Sequence, residues 1–228
     1  MSGNLLLAAL NGADADVLRP HLRIVRLEQQ RILFEAGGAV EEVVFPTSAV
    51  ISLVVTLSTG EVVEAAMVGR DGIVGALAAL DGKLTLSRAI VQLAGDGLAC
   101  HVDALKEAAL QSRTLHSLLI RHEQAVYAQS QQSVACIASH GVEARLCRWL
   151  LRARDLAGSD TLMFTQEFLA EMLGASRPTV SVVAHTLQQA GLIKYSRGKI
   201  QIGNLEGLQD ASCECYQTVK SHYQTLLG

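Results

Sequence analysis

No apolar run in the 228-residue chain reaches the roughly eighteen residues that a membrane span needs, although half of the chain is hydrophobic. The opening stretch, Met-Ser-Gly-Asn-Leu-Leu-Leu-Ala-Ala-Leu, lacks the positive charge that begins a secretion signal. Catalytic constellations are missing as well. No Ser/His/Asp set, phosphate-cradling loop or paired metal ligands occur at usable spacing, so an enzyme is not expected. The Gly-Arg-Asp-Gly at 69–72 reads as a turn. Cysteine is sparse and odd in number: Cys100, Cys136, Cys147, Cys213 and Cys215. That suits reduced thiols in a cytosol rather than a disulfide framework. Cys213 and Cys215 lie two apart, but the sequence offers no second pair to complete a zinc site, so no metal site is expected. Together these absences point to the cytoplasm.

What is present divides into two differently built regions. Short Val-, Ile- and Thr-rich runs fill the stretch from about Ile24 to Val102. Gly-Gly, Ser-Thr-Gly, Gly-Arg-Asp-Gly and Gly-Asp-Gly punctuate them at intervals of about ten residues. This predicts an antiparallel sandwich or barrel, because no long helical pattern separates the strands as a parallel sheet would require. A short helical lead precedes it, closed by Asp14–Asp16, and one short helix is expected at 73–80. From Asp103 the period becomes helical, with no proline and one glycine, Gly141, as far as Leu156. A short helix over 103–110 is expected, then a long one over 113–138, a break at His140–Gly141, and another helix over 142–156.

On the long helix, Leu115, Leu119, His122, Val126, Gln129, Ser133 and Cys136 recur at alternating four- and three-residue steps. This seam can pack on its own chain or on a second copy. The helix joins two unlike regions, so self-association through Leu115, Leu119, His122, Val126, Gln129 and Ser133 is the expected use.

Charge is mildly negative overall but unevenly placed. Residues 1–140 hold 10 Lys and Arg against 14 Asp and Glu, whereas 141–203 hold 8 against 5. The basic segment contains "FTQEFLAEMLGASRPTVSVVAHTLQQAGLIKYSRGKIQI". Thr165 is placed to cap a helix over Gln166–Leu173, and Gly174 to end it in a left-handed conformation. Ser176 caps the next helix, in whose first turn Pro178 costs little because those N–H groups have no intrahelical partners. Val180, Val183, Ala184, Leu187 and Ala190 form its apolar stripe. Two short helices joined by a tight glycine turn make a helix-turn-helix. Ser176, Arg177, Pro178, Thr179, Ser181 and Val182 then sit at the end that enters a DNA major groove. Arg177 is suited to guanine O6 and N7. "LIKYSRGKIQI" reads as a hairpin with Arg197-Gly198 in its turn, and Lys194, Arg197 and Lys199 suit phosphate contacts. A further helix follows, with Leu208, Ala211, Cys215, Val219 and His222 in its stripe.

With these residues the chain resembles the Crp/Fnr family of bacterial transcription regulators over nearly its whole length, most closely at "SRPTVS". The resemblance implies an α+β architecture. Residues 1–112 would form a cyclic-nucleotide-binding-like antiparallel β-roll sensor and 113–139 a dimerisation helix. Residues 140–228 would form a winged helix-turn-helix DNA-binding domain with a C-terminal helix. It further implies a homodimer, a near-palindromic double-stranded DNA target, RNA polymerase as a further candidate partner, and control by a small effector. A sensor acting through a protein partner, with vestigial DNA contact, is the alternative.

Three departures narrow the effector. Where nucleotide-responsive members have Gly-Glu, this chain has Gly75-Ala76, and their Arg-Ser/Thr-Ala run is reordered to Ser87-Arg88-Ala89. Cyclic AMP and cyclic GMP are therefore not expected, and Gly75, Ser87 and Arg88 remain as contacts for some other effector. No cysteine precedes Cys100, so the N-terminal iron–sulfur cluster of other members is not expected. Haem iron has candidate ligands in Cys100, His101, His116 and His122, but their spacing does not argue for it.

Overall fold

The structure, a computed structural model, describes residues 3–82 and 84–227. Met1 and Ser2 of the N-terminal stretch lie outside the described residues. Two short helices open the chain, α1 (Leu5–Ala8) and α2 (Gly12–Leu18). Each has an asparagine cap: the side chains of Asn4 and Asn11 accept from Leu7 N and Asp14 N. Asp14–Asp16 therefore lies inside α2 instead of closing a helix. Acidic residues suit a helix's first turn, where they face its positive end.

Seven strands follow: β1 (Arg23–Leu27), β2 (Ile32–Phe34), β3 (Glu42–Pro46), β4 (Val50–Thr56), β5 (Val62–Val68), β6 (Arg88–Leu93) and β7 (Gly95–His101). They form two antiparallel sheets, ordered β1-β7-β3 and β2-β6-β4-β5. The helix expected at 73–80 is instead a π-helical turn at Ala78–Gly82.

Alternation along β4 and β5, interrupted by a bulge in their pairing, divides their buried side chains between two cores. Ile51, Ala66 and Val68 point into the roll with Leu27, Phe45 and Val91. Val50, Val54 and Met67 point the other way, into a second core built around Trp149. Both faces of this strand pair are thus buried, which explains why β4 reads as a nearly continuous apolar run.

The remainder is mostly helical: α3 (Val102–Gln111), α4 (Arg113–Ser139), α5 (Val142–Ala157), β8 (Thr161–Met163), α6 (Gln166–Leu173), α7 (Arg177–Gln189), β9 (Ile193–Ser196), β10 (Lys199–Ile202), α8 (Leu205–Asp210) and α9 (Cys215–Leu227). Ser112 caps α4 by accepting from Leu115 N at 3.1 Å, and the 27 residues of α4 span about 40 Å. The single C-terminal helix expected from the sequence is two, broken at 211–214. Val219 and Tyr223 of α9 lie back on Ala125 of α4.

That packing corrects the reading of the long helix. Leu115, Leu119, His122, Val126, Gln129, Ser133 and Cys136 are all buried within one chain. His122 Nε2 accepts from Ile73 N at 3.2 Å, and Gln129 Nε2 donates to Met67 O at 3.2 Å. The proposed dimer seam is therefore spent on the roll and on α9, and no such residue is left to face a second copy. The exposed stripe of α4 is a different heptad. Ile120, Tyr127 and Val134 are 48%, 65% and 70% exposed, with Gln124 and Gln131 between them.

Gly72 makes the close approach to α4 feasible. A Cβ there would run into His122 Nε2 and sit 2.9 Å from Val68 Cγ1, so only glycine leaves room for the imidazole to reach Ile73 N.

Candidate nucleic-acid interface and effector cavity

The helix-turn-helix forms as its local signals require. Thr165 Oγ1 accepts from Phe168 N at 3.1 Å to start α6. Gly174 ends it at φ 55° and ψ 47°, the left-handed region where glycine carries no Cβ penalty. Ser176 Oγ accepts from Thr179 N at 3.3 Å to start α7, and the Ser176 and Thr179 hydroxyls lie 2.7 Å apart. Val180, Ala184 and Leu187 bury the inner stripe of α7 in the Trp149 core. The aromatic centre of that core is Trp149 edge-on to Phe164, with centroids 4.7 Å apart, and Phe164 stacked on Phe168.

The outer face of α7 is solvent-exposed at Arg177, Pro178, Thr179, Val182, His185, Thr186 and Gln189. Arg177 stands at the first helical position, where orphan N–H groups and the helix dipole favour an anion. Ser181, expected at this face, is instead half-buried and donates to Gln166 Oε1 at 2.6 Å, bracing α7 against α6. His185, Thr186 and Gln189 were missed by the sequence reading. The three- and four-residue steps from Val182 would have found them.

Beside α7 lies a three-stranded sheet in the order β8-β10-β9. β8 was not expected from the sequence, and its three residues pair with Lys199, Ile200 and Gln201. The hairpin turn has positive φ at both Arg197 (50°) and Gly198 (76°), matching a primed two-residue turn. Lys194, Arg197 and Lys199 are exposed, and none enters an ion pair among the described residues. Gln188 Oε1 accepts from Tyr195 N at 2.8 Å, holding the hairpin to the C-terminal part of α7.

A cavity of about 350 Å³ lies in the roll under α4. Phe34, Leu53, Val74 and Leu84 give it an apolar lining, and Gly75 and Ser87 border it. Arg88 does not line it; its Nε lies 3.3 Å from Glu35 Oε2. Glu123 is the one charged residue among the described lining residues. Cys100, His101, His116 and His122 do not join any cluster of three or more metal-ligating side chains among the described residues.

The isolated pair Cys213 and Cys215 gains partners through the fold. Cys136 of α4 and His140, which caps that helix, meet them, with all four ligand atoms within 4.8 Å of one another. The sequence hid this grouping because 77 residues separate Cys136 from Cys213.

Elsewhere, Glu64 of β5 is buried between the two cores. It accepts from Ser52 Oγ at 2.5 Å and from Trp149 Nε1 at 3.0 Å. Burial pushes its carboxyl up to about 7, against the opposing hydrogen bonds and the nearby Arg148 and Arg152 guanidinium groups.

A family model described as a Crp-like helix-turn-helix domain matches residues 144–211. The fold is similar to that of FixK2 from Bradyrhizobium japonicum, 15% identical with a TM-score of 0.71, over 84% of this chain and 98% of that one. A CRP/FNR-family transcriptional regulator of Thermus thermophilus is 20% identical with a TM-score of 0.67, over 83% and 98% of the two chains. The c-di-GMP responsive global regulator CLP of Xanthomonas campestris is 13% identical with a TM-score of 0.67, over 85% and 100%. At such identities the likeness is one of fold. No curated protein matches the chain.

Proposed function

We propose, for a chain that has the Crp/Fnr fold and a Crp-like helix-turn-helix DNA-binding domain at 144–211, that it acts as a homodimeric, sequence-specific transcription regulator. The observation that carries this reading is the exposed, serine-capped start of α7 with Arg177 at its tip, beside a hairpin bearing three exposed cations. Arg177 reads a guanine, the Thr179 hydroxyl meets a phosphate or base edge, Val182 meets a thymine methyl group, and Lys194, Arg197 and Lys199 neutralise the backbone. Ser176 and Pro178 shape the helix start, and Ser181 holds the angle of α7 from behind.

Dimerisation in this reading uses the exposed stripe Ile120, Gln124, Tyr127, Gln131 and Val134, a heptad pattern suited to a parallel copy of α4. Residues up to 112 sense, 113–139 pair, and those from 140 onward bind DNA. RNA polymerase is the further partner that the reading implies.

The effector is a small molecule other than a cyclic nucleotide. The cavity in the roll offers apolar walls and one acidic side chain among its described residues, which repels a phosphodiester. Tyr127 and Ser130 also line it, so an occupant bears directly on α4.

Selection of randomised duplexes on the purified protein tests the reading. The expected product is a near-palindrome with half-sites about one helical turn apart. Absence of enrichment, or enrichment of a single asymmetric half-site, overturns it.

A further inference from the structure

The end of α4 meets the loop between α8 and α9 at a cluster that neither the DNA-reading surface nor the effector cavity uses. Cys136 lies in the last turn of α4, and His140, four residues on, is its C-cap, with its N–H bonded to Cys136 O. Cys213 and Cys215 flank Glu214 at the start of α9. Cys136 Sγ lies 3.5 Å from Cys213 Sγ, and Cys215 Sγ lies 3.6 Å from His140 Nδ1. The three cysteines are buried, while the His140 side chain is 23% exposed and leaves an edge open to solvent.

We propose that Cys136, His140, Cys213 and Cys215 form a tetrahedral site for one divalent cation of the zinc class. Three sulfurs and one imidazole are a donor set of structural zinc centres. The size fits as well. Bonds of about 2.3 Å to sulfur set the corners of a tetrahedron about 3.8 Å apart, close to the spacings here, all of which are within 4.8 Å. A cluster of several irons would hold its thiolates farther apart, so the spacing selects a single ion.

The surroundings support the same assignment. Glu214 Oε2 lies 3.2 Å from His140 Nε2, which holds that nitrogen's proton and leaves Nδ1, the nitrogen facing Cys215, as the donor. Gln132 Nε2 donates to Cys215 Sγ at 3.0 Å, a bond suited to a thiolate. Arg145 supplies an independent sign. Its side chain is buried beside Cys136 and Cys213, and its Nη2 has no hydrogen-bond partner among the described residues. That guanidinium enters no ion pair among the described residues. Three thiolates, a neutral imidazole and one divalent ion carry a net charge of about −1, which offsets it.

The position gives the site a consequence. His140 is the C-cap residue of α4, Gly141 follows, and α5 begins at Val142. An ion there ties the α8–α9 loop to the last turn of the long helix and fixes how the DNA-reading domain leaves it. This regulatory half rests on the DNA-binding reading above; the metal site does not.

The 228-residue chain, stripped with chelator under reductant, is titrated with Co²⁺ as the probe and then with Zn²⁺. One Co²⁺ per chain is expected, with the intense d–d and sulfur-to-cobalt bands of tetrahedral thiolate coordination, all displaced by Zn²⁺. Cys213→Ser abolishes the bands, and Cys100→Ala leaves them unchanged. Glu214→Ala, at a side chain 73% exposed that does not endanger folding, keeps the bands and weakens binding about 10–100-fold. Weak octahedral spectra, binding indifferent to Glu214→Ala and Cys213→Ser, an iron–sulfur chromophore, or a Cys136–Cys213 disulfide in place of metal overturns the site. Gel shifts of the metal-free and Zn²⁺-loaded forms on a selected duplex are expected to differ at least about fivefold, a coupling of about 1 kcal/mol. Equal affinities overturn the regulatory half. Loss of the shift in both forms counts against the DNA reading and leaves the Co²⁺ result standing.

Discussion

The indole N–H of Trp149 donates to the carboxyl of Glu64 at 3.0 Å, joining α5 to a strand of the roll through a buried acid. Ser52, Gln92, Arg148 and Arg152 also face that acid. The folded protein holds its proton up to about pH 7, whereas a carboxyl with the ordinary value of 4.5 releases it much earlier. Between those values the folded state binds more protons than the unfolded one, so stability falls as pH rises through this window and levels off above it. The full effect is about 3 kcal/mol. Glu64→Gln should flatten the profile, as read by urea denaturation at a series of pH values. A slope as steep as that of the unsubstituted chain would remove Glu64 as its source.

Arg177→Ala should weaken specific binding by about 1–3 kcal/mol and relax preference at one base pair. Lys199→Ala should act differently, lowering affinity on all sequences alike and reducing the salt slope by about 1. Gel shifts on selected and scrambled duplexes at several salt concentrations separate the two behaviours.

Val134→Asp places a charge at the C-terminal end of the exposed heptad of α4, one helical turn beyond Ser130 of the cavity lining. The expected outcome is a monomer by sedimentation equilibrium, with circular dichroism unchanged because Val134 is 70% exposed in the single chain. A dimer as tight as the parent's would place self-association on another surface.

Gly72→Ala should cost about 1–3 kcal/mol, since the added methyl collides with His122 and Val68 in a packed interior. Thermal unfolding measures it. A variant as stable as the parent would show that α4 can shift away from the roll at little cost.

The α6–α7 pair was legible because its signals are local: Thr165, Gly174 and Ser176 act on backbone groups within four residues of themselves. The long helix was not legible in the same way. Its two faces carry competing heptads, one through Leu115, His122 and Gln129 and another through Ile120, Tyr127 and Val134. Seven-residue periodicity says that both can pack, not which meets the roll. That choice is made by β5 and α9, which reach α4 from more than sixty and eighty residues away. β8 was missed for a related reason. Three residues carry no periodicity of their own, and Thr161–Met163 is a strand only because β10 lies beside it. The cysteines illustrate the same limit, since Cys213 acquires Cys136 only when α9 folds back along α4.

The strand pair β4–β5 is packed on both faces along most of its length. Its inner side chains belong to the roll, while Val50, Val54 and Met67 belong to the same core as Leu169 and Leu173 of α6 and Leu187 of α7. The roll and the helix-turn-helix therefore share one core without a compliant gasket between them. If the roll senses and α7 reads DNA as proposed, close packing makes β5 the shortest path for strain between them.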